Sequence, residues 1–321
     1  MALKWGIAAA GKISNDFVSA LEALPSSDHK VVAVAARSQA SADNFAKTHH
    51  IPTSYEGYKK LAEDKNVDIV YVGVIHPYHY EVSKLMLENG KHVLCEKPFT
   101  MNEKQTRKLI EIARANKLFI MEAIWSRCFP VYRELRKILD SGLIGDTLIV
   151  SKQKNWAGRN TRSRRLFTSV SAICFSWFET TEYRGSGHLN EEGVDNSASA
   201  IITYEGSKTA VVTTSALTNL STEGIIYGTK GTIKVPQMWC PTTLNVNGDI
   251  KEFPLLEGGG AANYPKSVGL AYEAIEARKC INEGKLESEQ ITHEETIQLA
   301  HLMDKMRQDI GVVFPADSES Y

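Results

Sequence analysis

Cysteine is sparse in this chain and its spacing pairs nothing. Five of the 321 residues are cysteine (Cys95, Cys128, Cys174, Cys240 and Cys280), an odd number with no Cys-x-x-Cys spacing. Neither a disulfide framework nor a thiolate zinc site fits that arrangement, and no metal is expected. Cys95, inside an apolar run, reads as a small buried hydrophobe. An excess of one charge is missing too. The formal net charge is −1, so no field draws the chain to nucleic acid or to an anionic membrane. No apolar run is long enough to span a bilayer. The opening Met-Ala-Leu-Lys-Trp-Gly runs straight into a strand pattern without a leader, so a cytoplasmic location is the expectation. No internal repeat divides the chain. Its composition, 43% apolar and 23% charged, is that of a globular protein, and its length suits two domains.

The first part alternates strand and helix. Apolar runs at Lys4–Ala10, Lys30–Ala36, Val67–Ile75, His92–Cys95 and Leu118–Ile124 read as strands. Between them lie helical patterns: one carries Ile13, Phe17, Leu21 and Leu24, and others cover Ser41–His50, Pro77–Glu88 and Asn102–Asn116. This order predicts right-handed crossovers and a doubly wound parallel sheet of the Rossmann type over residues 1–125. From residue 126 to 321 the pattern changes. After a helix at Val131–Leu139 come strand patterns at Thr147–Lys152, Ser197–Tyr204, Thr209–Ser215, Gly224–Tyr227, Thr232–Val235, Thr243–Val246 and Ile250–Phe253. Turns such as Gly228-Thr229-Lys230-Gly231 and Asn247-Gly248 join them, which predicts an α+β domain with a largely antiparallel open sheet. Two helices follow, Gly269–Glu283 and Thr292–Ile310, the second opening on a Thr292-x-x-Glu295 capping box.

Two of the glycines of a dinucleotide fingerprint are also missing. Phosphates bind where a strand turns into a helix N-terminus, usually through Gly-x-Gly-x-x-Gly. Here the turn reads Ala9-Ala10-Gly11-Lys12-Ile13-Ser14, and only the middle glycine is in place. Taken alone, a plain strand–helix turn would read the same. The end of the second strand, Ala36-Arg37-Ser38, lacks the acidic residue that holds an NAD ribose. A guanidinium with a neighbouring hydroxyl suits a 2′-phosphate instead. NADP(H) is therefore expected as the cofactor, held at Gly11, Lys12, Ile13, Arg37 and Ser38; the alternative for Arg37 is a solvated surface charge.

One lysine stands out. Lys97 ends the buried run His92–Glu96 and precedes Pro98, which pushes it out of the helical region and fixes its direction. A lysine there is costly without a task. Beside a nicotinamide it would handle the proton that leaves as a hydride is transferred.

With these residues the chain resembles the glucose–fructose oxidoreductase and inositol dehydrogenase family, and within it the branch of dimeric NADP-dependent dihydrodiol and D-xylose dehydrogenases. The similar stretches are Trp5–Ser14, Val32–Ser38, Tyr71–His79, His92–Pro98, Met121–Pro130, His188–Asp195, Gly228–Ile233 and Gly311–Pro315. The resemblance implies oxidation of small molecules, namely trans-dihydrodiols of aromatic hydrocarbons (to catechols) and D-xylose or related pyranoses. It also implies a homodimer through the C-terminal sheet. By position, Lys97 resembles the family's catalytic lysine, with Glu96 holding it. His76 and Pro77 would line the nicotinamide, His79 would act near the substrate, and Trp125 and Arg127 would wall the substrate pocket. By themselves, His79 also reads as a helix-surface residue and Trp125 as a core aromatic.

The resemblance implies one more pair, an aspartate and, four residues on, a tyrosine that shares acid–base work with the lysine. Here the corresponding stretch, Ala157–Phe167, holds four arginines and neither residue. Residues 158–184 read as translated out of frame. Shifted by one nucleotide, Gly158–Leu166 can encode Gly-Ala-Ile-Leu-Asp-Leu-Gly-Val-Tyr, and Trp177, with its single codon, becomes glycine. The expected frame resumes near Ser186. If the segment is as written, the alternative is an NADP-binding sensor without catalysis.

Overall fold

In a computed structural model, which describes residues 1–155 and 180–321, the apolar runs of the first part pair into one parallel sheet. Its strands are β1 (Leu3–Ala8), β2 (His29–Ala36), β3 (Thr53–Glu56), β4 (Ile69–Val72), β5 (His92–Glu96) and β6 (Ile120–Ala123). They lie in the order β3-β2-β1-β4-β5-β6, every pair parallel. The helices between them are α1 (Lys12–Leu21), α2 (Gln39–Thr48), α3 (Tyr58–Glu63), α4 (His79–Glu88) and α5 (Glu103–Ala115). The strand order reverses between β1 and β4, which makes that point the topological switch where such sheets bind ligands. Trp5, Ile7, Tyr71 and Leu94 on the central strands are fully buried, as strands covered on both faces require. The short β3 and α3 were not in the sequence reading.

The second sheet is built on α6 (Pro130–Asp140) and strands β7 (Thr147–Asn155), β8 (Thr180–Leu189), β9 (Asp195–Tyr204), β10 (Lys208–Ser215), β11 (Gly224–Gly228), β12 (Gly231–Val235), β13 (Thr243–Val246) and β14 (Asp249–Glu252). The order is β14-β13-β12-β11-β7-β10-β9-β8; β7 and β10 run parallel and the other neighbours antiparallel. The largely antiparallel sheet expected from the turn pattern is thus present. One face buries Val150, Ala200, Ile202, Ala210, Val212 and Ile226 against Val131, Leu135 and Ile138 of α6. On the other face Ile149 pairs with Tyr227 and Ile201 with Val211, and Ile149, Ile201 and Tyr227 are 41–52% exposed.

Two last helices complete the chain, α7 (Ala271–Asn282) and α8 (His293–Asp309). The capping box that opens α8 is formed: Glu295 N–H donates to Thr292 Oγ1 at 3.1 Å, and Thr292 N–H to Glu295 Oε2 at 2.9 Å. The chain divides into two compact units, one of residues 1–128 and 255–296 with Tyr321, the other of residues 129–254 and 297–320. The segment read as out of frame, with Arg159–Arg165, Ser169–Phe178 and Trp177, falls almost wholly in 156–179, outside the described residues. Its last residues, 180–184, belong to edge strand β8.

Candidate active site

The turn after β1 carries the features of an anion site. Gly11 is the N-cap of α1 and makes no side-chain cap, and no acidic residue stands in the first turn. The free N–H groups and the helix dipole are therefore available to a pyrophosphate. Ala9, in the place of the first fingerprint glycine, has φ +94°, a conformation that suits glycine and strains alanine. The missing third glycine is compensated across the sheet. Ser14 is fully buried there, and Gly73, just past β4, makes room for it, because a Cβ on Gly73 would overlap Ser14 Oγ. Gly11 and Lys12 are exposed and Ile13 half-buried. These features fit a dinucleotide.

Arg37 and Ser38 lie exposed at the end of β2. Ser38 caps α2, its Oγ accepting from Ser41 N–H at 3.4 Å. The Arg37 charge reaches the ring of Tyr58, where it opposes the upward push of burial on the phenol.

A second group assembles at the end of β5. Lys97 is half-buried, and the Lys97–Pro98 peptide is cis. Glu96 is buried; its Oε2 accepts from Lys97 N–H at 3.2 Å and its Oε1 from Tyr71 Oη–H at 2.6 Å. Tyr71 is stacked on Phe17, ring centroids 3.9 Å apart. Burial, then Glu96, hold its phenol well above 10, so it remains a donor. The loop after Lys97 is clamped by backbone contacts. His79 Nδ1 lies 2.7 Å from Pro98 O, and its Nε2 3.0 Å from Val74 O. His76 Nε2 is 2.7 Å from Thr100 O. Glu122 Oε1 accepts from Phe99 N–H at 3.0 Å.

Two of the expected site residues are held by hydrogen bonds of their own. His79 is 2% exposed with both ring nitrogens facing carbonyl oxygens, so the ring is turned to the loop. Burial holds its pKa below the usual histidine value, against the pull of those carbonyls. Arg127 is also buried. Its guanidinium donates to Gln290 O at 2.8 Å and Glu295 Oε1 at 2.7 Å, bracing the start of α8 within the first unit. Trp125 is half-buried and Pro77 exposed.

Three acidic residues were missed by the sequence reading. Glu122 stands in the apolar strand Ile120–Ala123, an exception that was visible. Burial pushes its carboxyl up to about 8, with the Phe99 amide opposing, Glu96 adding and Lys97 opposing. Glu273 on α7 is fully buried; burial, with Glu96 adding and Lys97 opposing, raises its carboxyl well above the usual value. Asp16 on α1 accepts from Asn263 N–H, Asn263 Nδ2, Tyr264 N–H and Ser267 Oγ at 2.6–2.9 Å. Burial alone would raise its pKa, but these donors hold it below the usual carboxylate range. They fasten residues 263–267 beside the pyrophosphate turn, where Asn263 Nδ2 also donates to Lys12 O at 3.3 Å. Among the described residues no group of three or more His, Cys, Asp or Glu side chains is placed to hold a metal ion, and no helix is long and apolar enough to cross a membrane.

Residues 3–123 match the model of an oxidoreductase family with an NAD-binding Rossmann fold. Over its full length the chain is similar to trans-1,2-dihydrobenzene-1,2-diol dehydrogenases. It is 40% identical to that of Danio rerio over 99% of this chain and 100% of that one, and 37% identical to that of Homo sapiens over 99% of each. Among solved structures, an oxidoreductase from Thermotoga maritima shares the fold with a TM-score of 0.79, at 19% identity over 99% of each chain. A 3-ketoreductase, KijD10, from Actinomadura kijaniata, crystallised with NADP and TDP-benzene, superposes with a TM-score of 0.78 at 22% identity, over 96% of this chain and 98% of that one.

Proposed function

We propose, since this chain belongs to the GFO/IDH/MocA oxidoreductase family, that it is an NADP-dependent dehydrogenase that oxidises trans-dihydrodiols of aromatic hydrocarbons and D-xylose or related pyranoses. The observation that carries this reading is Lys97, a lysine fixed at the C-terminal end of a central strand by the buried Glu96 and by the clamped loop 98–100. Full-length relatives that carry the dihydrodiol dehydrogenase name support the substrate class. The cofactor, when bound, accepts or supplies the hydride. Gly11, Lys12 and Ile13 hold its pyrophosphate at the open N-terminus of α1, and Arg37 with Ser38 takes the 2′-phosphate that distinguishes NADP from NAD. His76 and Pro77 would line the nicotinamide.

Lys97 binds the reacting oxygen and handles its proton, taking it from an alcohol or giving it to a carbonyl. His79 positions the lysine through the Pro98 carbonyl, and Trp125 lines the substrate side. The open face of the second sheet, with Ile149, Ile201 and Tyr227 exposed, is the surface through which two copies pair.

A specific observation favours a second reading. Ala157–Phe167 contains neither the aspartate nor the tyrosine that the resemblance implies, so the chain as written binds NADPH and turns over slowly. The test is NADPH formation from trans-1,2-dihydrobenzene-1,2-diol and from D-xylose, with NADP+ and NAD+, for this chain and for one carrying the in-frame segment. Turnover that prefers NADP+ and rises with the restored segment supports the proposal. NADPH binding without turnover in both leaves the sensor.

A further inference from the structure

We infer that Asn263 is a positioning residue of the dinucleotide site: its side-chain amide donates to the Lys12 carbonyl and so strengthens the Ile13 N–H that the turn offers to the pyrophosphate. This rests on the dinucleotide reading of that turn. Asn263 Nδ2 has two hydrogens to place. One goes to Asp16 Oδ1 at 2.8 Å and the other to Lys12 O at 3.3 Å. Both partners are oxygens that only accept, so the amide nitrogen and not its oxygen faces the turn. Lys12 O and Ile13 N–H belong to one peptide unit. A donor on the oxygen polarises that unit and makes its N–H a stronger donor, by roughly 10–30% per bond. Ile13 stands in the first turn of α1, where helix N–H groups lack carbonyl partners, and the N-cap Gly11 supplies no side-chain cap.

Asp16 holds the amide in place. Its carboxyl group is 0% exposed and also accepts Asn263 N–H at 2.7 Å, Tyr264 N–H at 2.9 Å and Ser267 Oγ–H at 2.6 Å. Burial works to raise its pKa and these donors outweigh burial, so the anchor is a carboxylate at neutral pH. Two more ties join α1 to the same segment. Ser19 Oγ donates to Ala261 O at 2.8 Å, and Gly260 N–H donates to Ser19 O at 2.9 Å. Residues 261–266 are nonetheless exposed throughout. A segment that buries little apolar surface gains little stability from packing, and a buried carboxylate is a costly way to hold it. The ties serve placement: within one compact unit they bring the amide of residue 263 to the carbonyl of residue 12.

This contact and that of Arg37 are separable. Asn263 acts on the pyrophosphate, which NADP(H) and NAD(H) share, whereas Arg37 acts on the 2′-phosphate, which only NADP(H) carries. Loss of the Asn263 amide therefore weakens both cofactors alike. It also removes a tether from an exposed turn, which is then less ordered before the cofactor binds.

Asn263→Ala removes the amide and keeps the residue's own N–H on Asp16. In fluorescence titrations the affinities for NADPH and for NADH should each fall about three- to tenfold. Ser19→Ala is the control for a merely structural tie. It loosens the segment at Ala261 and leaves the Lys12 contact, so both affinities should stay within about twofold of wild type. In the cofactor-free protein, the nitrogen NMR resonance of the Ile13 amide should shift in Asn263→Ala and hold in Ser19→Ala. Unchanged affinities in Asn263→Ala, an equal loss in Ser19→Ala, a loss confined to NADPH, or an unmoved Ile13 resonance overturns the role of Asn263. Wild-type protein that binds neither cofactor overturns the dinucleotide reading itself.

Discussion

Replacing Glu122 with glutamine should leave stability nearly unchanged in acid and raise it in alkali. Glu122 is fully buried on β6, and its carboxyl rises from the ordinary 4.5 to about 8, chiefly by loss of solvent. The folded state therefore binds a proton that the unfolded state has released between those values, and stability falls as pH climbs through that window. At about 1.4 kcal/mol per pH unit, the ionised form costs the fold on the order of 5 kcal/mol. Local relaxation and water entry make about 2–3 kcal/mol the working expectation. Glutamine reproduces the protonated acid, and its carbonyl still accepts the Phe99 N–H. Urea unfolding of both proteins, measured below pH 4.5 and above pH 8, should give similar midpoints in acid and a clearly higher midpoint for the variant in alkali. Parallel stability curves across the whole range would refute the buried, protonated state of Glu122.

Arg37→Ala should weaken NADPH binding about 10- to 100-fold, the loss of a charge-assisted pair, and change NADH binding by no more than about threefold; equal losses in a fluorescence titration would remove the 2′-phosphate assignment. Gly73→Ala should destabilise the chain by about 1–3 kcal/mol through overpacking against Ser14. Adding Ser14→Gly should return more than half of that loss, whereas additive effects in the double-mutant cycle would show that the two positions do not compensate. Ala9→Gly should raise the unfolding midpoint, because relief of the φ +94° strain, about 1–3 kcal/mol, exceeds the entropy that glycine adds to the unfolded chain, about 0.4–1 kcal/mol. A lowered midpoint would contradict the strained turn.

Much of the first unit was legible because its signals are local. Apolar runs such as Val67–Ile75 and His92–Cys95 are strands buried on both faces, and Thr292 announces a helix by capping chemistry that the structure repeats. Gly11 and Lys97 were found because a turn and a proline each fix backbone direction. What was not legible depends on residues far apart in sequence. Gly73 stands in for a missing glycine at position 14 only because β4 lies beside β1. Glu273 is buried in the first unit only because residues 255–296 return to it, and nothing in their composition announces it. His79 and Arg127 were assigned by position in a resembling sequence. Their hydrogen bonds show each turned to a backbone carbonyl, a detail that spacing does not carry. The edge strand β8 lay hidden because its first half belongs to the stretch read as out of frame.

The most direct test of the central claim is the rate of NADP+ reduction with trans-1,2-dihydrobenzene-1,2-diol by the wild type and by Lys97→Met, with NADPH affinity measured on both. The account predicts measurable wild-type turnover that falls at least about a hundredfold in the variant, while NADPH affinity stays within a few-fold. Equal rates in the two proteins would contradict it, because the proton would then be handled by some other group.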